Sequence, residues 1–259
     1  MTNTLDQTLH NFMKITNKSK VAIIIPLFGY QKTLKNKELD EETLKITLDR
    51  AYSQAHNVYY IFVGDQKSVS QEVRNIIVGK FQAGNTIGVH VPGAATYTEY
   101  IKKGVESALN ETEAEYITII NPWIVMQHGA IDTLVDRVNY GDDACIVCGY
   151  DLRKEIDPES FETYKPLAPK EEHSLSFDTL GMKRYTAETT KIDENYITRR
   201  FLERDMWQSL FRGGAVSICS QRIPIFSFDV DFSKLETKEE IELDRTYFIS
   251  KWGFNPGNL

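Results

Sequence analysis

Three cysteines in 259 residues are too few for a disulfide framework. No apolar run approaches the ~20 residues of a membrane span. Nothing basic dominates either, since 30 Lys and Arg stand against 37 Asp and Glu, a formal charge of −7. That balance argues against a dedicated nucleic-acid binder and against a basic membrane-surface helix. The polar stretch from Met1 to Lys20 lacks a signal-peptide core, so an intracellular, cytoplasmic protein without a membrane span is expected. Internal repeats and low-complexity tracts are absent. Cys145 and Cys148 have the spacing of a redox or zinc pair, but residues three apart in a strand face opposite sides of a sheet. Buried reduced thiols are expected there.

What is present is apolar content enough for a large core, 41% hydrophobic and 11% aromatic, which suits one α/β domain. Residues 1–19 read as an amphipathic lead-in, with Leu5, Leu9, Phe12 and Met13 at roughly helical spacing. Val21 to Ile25 is a continuous apolar run closed by Pro26, the pattern of a strand buried on both faces. Further strands are expected over residues 58–63, 86–91, 116–120 and 144–150. Helices are expected between them, over 41–55, 70–81, 98–109 and 129–138.

This alternation implies a mostly parallel central sheet covered by helices on both sides, with any ligand beyond the C-terminal ends of the strands. Residues 154–200 are polar, show little periodicity and carry Pro158, Pro166 and Pro169, so they read as a long binding loop or lid. The chain returns to order at Phe201 to Leu210, a strand from Ala215 to Cys219, the aromatic-rich stretch Ile225 to Phe232, and an acidic helix over 237–252. One globular unit is expected, in which residues 20–153 form one α/β half and 154–259 the other.

Several segments, taken in order, resemble the inverting glycosyltransferases of family 2. Val21 to Pro26 looks like the family's opening strand and proline, and Val63-Gly-Asp-Gln-Lys-Ser68 is similar to its acidic-turn-serine segment. Gly93-Ala-Ala95 with Gly104 to Ala108 resembles the glycine-to-helix segment. Tyr116 to Leu134 matches the central strand, the Asn-Pro-Asp or Asp-x-Asp turn and the following helix. Gly213-Gly214, Phe228-Asp-Val-Asp-Phe232, Glu239 to Leu243 and Gly253-Phe254 look like the closing motifs. The match runs over roughly residues 20 to 254, with 154–210 unmatched.

The resemblance implies a glycosyltransferase-A fold, with residues 20–153 binding a nucleotide-diphosphate sugar and 154–259 forming the acceptor side. It also implies Glu240 as general base, with Glu239 and Glu242 beside it, although the solvated acidic start of a helix is an equal reading of these residues. Donor contacts are implied at Pro26, Leu27, Phe28, Tyr30, Asp65, Gly93, Asn121, Trp123 and Arg153, and acceptor-side contacts at Arg212, Gly213 and Gly214. Trp123 stands where the family has its metal-ligating aspartate, and indole does not bind Mg or Mn.

Three alternatives follow from that departure. The enzyme uses Arg153, Arg212, Lys251 or the Arg199-Arg200 pair in place of a metal, or another acid such as Asp151 holds the metal, or the domain is a catalytically inactive binding module. The acceptor is a glycan, a protein or a modified nucleic acid such as a hydroxymethylated DNA base, with Lys183-Arg184 and Arg199-Arg200 as a phosphate track. A nucleotidyltransferase fits less well, because Pro26 to Tyr30 is not a glycine-rich phosphate loop.

Overall fold

The computed structural model describes residues 18–28, 41–65, 71–80, 85–92, 95–140, 145–153, 155–156, 158–165, 171–172, 176–214, 217–228 and 235–256. Residues 1–17 of the lead-in, Tyr30, Gly93 and the Asp229 to Phe232 segment lie outside these residues.

Among the described residues nine strands form one sheet: β1 (Lys20–Pro26), β2 (Asn57–Gly64), β3 (Thr86–His90), β4 (Tyr116–Ile120), β5 (Ile124–Met126), β6 (Ile146–Asp151), β7 (Glu171–Glu172), β8 (Thr179–Lys183) and β9 (Ser217–Ser227). The order is β3-β2-β1-β4-β8-β6-β9-β5, with β7 also paired to β9. Among the described residues seven α-helices flank it: α1 (Glu41–Arg50), α2 (Gln71–Lys80), α3 (Tyr97–Glu111), α4 (Ala130–Tyr140), α5 (Arg184–Thr189), α6 (Arg199–Arg212) and α7 (Lys238–Trp252). Among the described residues no helix is long and apolar enough to cross a membrane.

The sheet is mixed rather than mostly parallel. Ladders β1/β2, β1/β4, β2/β3 and β6/β9 are parallel, whereas β4/β8, β6/β8, β5/β9 and β7/β9 are antiparallel. The correction comes from residues 154–200, which do more than form a loop. They return the chain as β8, a central strand between β4 and β6 that runs against both. Thr179-Leu-Gly-Met-Lys183 is short and carries a glycine, so it gives little strand signal. The glycine is required for packing. A Cβ at Gly181 would sit 2.8 Å from Leu134 Cγ, so only glycine lets α4 close on the strand.

Elsewhere the pattern explains the elements directly. Val21 to Pro26 are all buried, as alternate residues on both faces of a covered sheet must be. Helix α3 opens with a capping box between Thr96 and Glu99 and buries Tyr97, Tyr100, Ile101, Gly104, Val105 and Ala108 along one stripe. Gly104 lets α3 lie against the sheet, since a Cβ there would fall 2.4 Å from Ile24 Cγ2. Arg184 closes the other end of α3 by donating to the carbonyls of Leu109, Thr112 and Ala114. Helix α7 opens with a second capping box, Thr237 with Glu240, and ends at Gly253, whose φ of 78° is left-handed. Its Asp244 accepts from the backbone N–H of Ile197 and Thr198 and from the Thr198 hydroxyl, and so anchors the chain just before α6.

Candidate functional site

Six strands (β1, β2, β3, β4, β6 and β9) point the same way, and β8 begins where they end. At that edge lies a cavity of about 320 Å³, lined by Trp123, Arg153, Asp178, Arg199, Arg200, Glu203, Ser227, Phe228 and Glu236. Trp123 follows β4, Arg153 follows β6, and Ser227 ends β9. Asp178 precedes the reversed strand β8, and α6 contributes its first turns through Arg199, Arg200 and Glu203. Each wall is therefore placed by a strand end or a helix start, as in open α/β sheets generally.

Charge is dense and organised. Arg199 Nη1 lies 2.9 Å from Asp178 Oδ1, and its Nε lies 2.7 Å from Glu203 Oε1. The Trp123 indole N–H donates to the same Asp178 oxygen at 2.9 Å, and Phe177 N–H donates to Glu203 Oε1 at 2.9 Å. Burial disfavours the Asp178 anion, but the Arg199 charge and the two hydrogen bonds outweigh it and hold the carboxyl below its ordinary range. Burial prevails at Glu203, which titrates above the usual carboxylate range despite Arg199. It prevails likewise at Glu236.

Glu236 is 5% exposed and divided in its duties. Its Oε1 accepts the Arg199 backbone N–H at 2.6 Å. Its Oε2 has no hydrogen-bond partner, and Arg200 Nε stands 3.8 Å away. The Ser227 hydroxyl, also buried and lining the cavity, is likewise without a hydrogen bond. Buried polar atoms are normally bonded, so two such atoms in one cavity point to a polar occupant.

The residues implied by the resemblance divide into groups. Trp123 and Arg153 line the cavity, as does the Arg199-Arg200 pair. Trp123 is 1% exposed, so it is a packed wall and not a free stacking platform. Asn121 is wholly buried, with its amide engaged by the Tyr97 hydroxyl and the Phe177 carbonyl. Pro26 and Leu27 are buried. Phe28 packs edge-on against Tyr97 and Tyr100. Asp65 lies beside His90, Oδ1 to Nδ1 3.9 Å. Leu27 also borders a second, apolar cavity of about 260 Å³ with Phe62, Ile77, Val78, Gly88 and Val89.

Glu239 and Glu242 are exposed on α7, and Glu240 accepts the Thr237 backbone N–H at 2.7 Å within the capping box. None of the three is among the described residues lining the polar cavity. Arg212, Gly213 and Gly214 close α6 at its far end, about 20 Å along the helix from Arg199. Arg212 there lies over the Trp252 ring, 4.5 Å from its centroid. Lys251 is engaged with Asp193 and Asp205.

The residues fit a hard divalent cation poorly. Among the described residues no group of three or more His, Cys, Asp or Glu is placed to hold a metal. Asp151 is taken up by Arg153, with Oδ2 to Nε 2.9 Å and Oδ1 accepting the Arg153 backbone N–H at 3.1 Å. Asp178, Glu203, Ser227 and Glu236 carry no family motif, and only the Arg199-x-x-x-Glu203 helical pairing announces itself in the sequence. No family model matches the chain, and no curated protein matches it.

Proposed function

We propose that the chain is an inverting glycosyltransferase of the glycosyltransferase-A type, which transfers a sugar from a nucleotide-diphosphate donor to an acceptor hydroxyl in the polar cavity without a metal ion. The observation carrying this reading is the cavity's position. The turn that the resemblance marks as the donor site, Asn121-Pro122-Trp123, supplies one of its walls through Trp123. The strand order adds support, since β2 and β4 lie on opposite sides of β1 and so make a topological switch point beside that turn.

In this reading Arg153 and Arg200 offset the charge that develops on the leaving diphosphate, in place of a cation. Arg199 is held by Asp178 and Glu203 and keeps the wall rigid. Leu27, Phe28 and Asp65 form the nucleoside side. The second reading, a non-catalytic binding module, is favoured by one observation: the Asp178–Arg199–Glu203 group already satisfies itself.

Calorimetric binding and turnover over a panel of nucleotide-diphosphate sugars separate the two, with glycan, protein and hydroxymethylated-DNA acceptors offered in turn. Turnover that survives a chelator is the expected result. Chelator-sensitive turnover would show that a metal is used. Binding of a donor with no turnover on any acceptor would leave the binding module, and binding of none would overturn the donor reading itself.

A further inference from the structure

Transfer with inversion needs a base beside the acceptor hydroxyl, and the cavity is lined by one carboxylate that lies just before the N-cap of α7, Glu236. We infer that Glu236 is the general base, its Oε1 fixed by the Arg199 backbone N–H and its Oε2 left to take the proton. The assignment rests on the transferase reading above. Three features carry it. Glu236 lines the cavity, is 5% exposed, and has an oxygen without a hydrogen bond. The bond to Arg199 N–H, at 2.6 Å, holds one carboxylate oxygen and leaves the other unbonded. Glu240 also gives one oxygen to a backbone N–H, in the capping box of α7, but is not among the described residues lining the cavity.

The proton balance is simple. The acceptor O–H proton passes to Glu236 Oε2 while the acceptor oxygen forms its bond to the anomeric carbon. The bond from that carbon to the diphosphate oxygen breaks, and the nucleoside diphosphate leaves with the electron pair. Neutral Glu236 then returns its proton to solvent. Ser227, which also lines the cavity, has the other side-chain oxygen there without a hydrogen bond.

The charges facing Glu236 are mixed. Arg199, Arg200 and Glu203 come from α6, while Arg153 after β6 and Asp178 before β8 share the cavity. The two α6 arginines favour the anion and Glu203 opposes it, but burial is the largest influence and lifts the carboxyl above its ordinary range. Such a group accepts a proton more readily than an exposed glutamate.

The test is Glu236→Gln, which keeps an oxygen for the Arg199 N–H and removes the proton acceptor. It is assayed with whichever nucleotide sugar the wild type turns over. Donor Kd within about threefold of wild type, kcat lowered about 100-fold or more, and loss of the acidic limb of the kcat–pH profile are expected. Glu236→Asp, with its carboxylate drawn back, should recover part of kcat and keep a pH limb. Unchanged kcat and pH profile in Glu236→Gln, with donor binding intact, would overturn the base assignment alone. Equal losses in Glu236→Gln and Glu236→Asp, with weakened donor binding in both, would make Glu236 a structural cap and also overturn it. A wild type that neither binds nor turns over any donor would overturn the transferase reading and this assignment with it.

Discussion

Replacing Arg199 with methionine is the sharpest single perturbation of the site's framework. The side chains of Arg199, Asp178 and Glu203 are only 12%, 13% and 18% exposed, so solvent screens their interactions weakly. Each Arg–carboxylate attraction is on the order of 4 kcal/mol at ~4 Å and an effective dielectric near 20, before the opposing desolvation is counted. The relevant net figure is that for breaking a buried ionic group by removing one partner, about 3–5 kcal/mol. Asp178 would keep the Trp123 indole N–H, and Glu203 would keep the Phe177 N–H, so neither anion is left without a hydrogen bond. A loss near the lower end of that range is therefore expected in urea unfolding at pH 7, with Tm lower by roughly 6–12 °C for a chain of this size.

The pH dependence has a definite sign. Arg199 holds Asp178 below its ordinary pKa in the wild type, and that stabilisation is lost only as pH falls through the depressed value. In Arg199→Met both carboxylates are buried without a cation, so their folded pKa values rise. A raised carboxyl costs stability as pH climbs above its unfolded value, and the cost vanishes below it. The deficit should accordingly shrink between pH 7 and about pH 4. A deficit under about 1 kcal/mol at pH 7, or one that grows as the pH falls, would refute the buried-triad reasoning.

Other consequences are equally direct. Trp123→Phe keeps an aromatic side chain but removes the N–H bonded to Asp178 and part of the buried ring, so a stability loss of at least about 1.5–3 kcal/mol is expected in the same unfolding assay. Gly104→Ala forces a methyl to 2.4 Å from Ile24 Cγ2 and should cost about 1–3 kcal/mol, although alanine is the better helix former. Thr237→Ala breaks the capping box of α7 and should cost about 1 kcal/mol. Asp244→Asn, tested by hydrogen exchange, should deprotect the amides of Ile197 and Thr198, just before α6, ahead of the sheet, because Asp244 holds those N–H groups.

The sequence made the parallel core legible because its signals are local. Val21 to Pro26 is apolar without a break, and each strand from β1 to β4 ends at a proline, glycine or asparagine that a reader can see. The mixed half was hidden for the opposite reason. Thr179 to Lys183 is five residues long, contains Gly181, and is buried by β4 and β6 on either side and by α4, partners distant in sequence. Trp123 and Arg153 could be marked from the resemblance, and Arg199-Arg200 from charge. Glu236 and Asp178 could not, since nothing local distinguishes Leu235-Glu-Thr237 or Phe177-Asp-Thr179 from ordinary polar turns. Their roles arise only when the start of α6 is brought against the edge of the sheet.

The most direct test of the cavity as the donor site is calorimetric titration of nucleoside diphosphates and their sugars into wild type and Arg200→Ala. Arg200 is 38% exposed and paired only loosely with Glu236, so its removal should leave Tm nearly unchanged. A lost charge-assisted contact to phosphate is worth about 1.5–3 kcal/mol, which is ten- to more than a hundredfold in Kd. Weakening of that size, with folding intact, is the expected result. A donor bound equally well by both proteins would place the diphosphate away from this cavity and contradict the proposal.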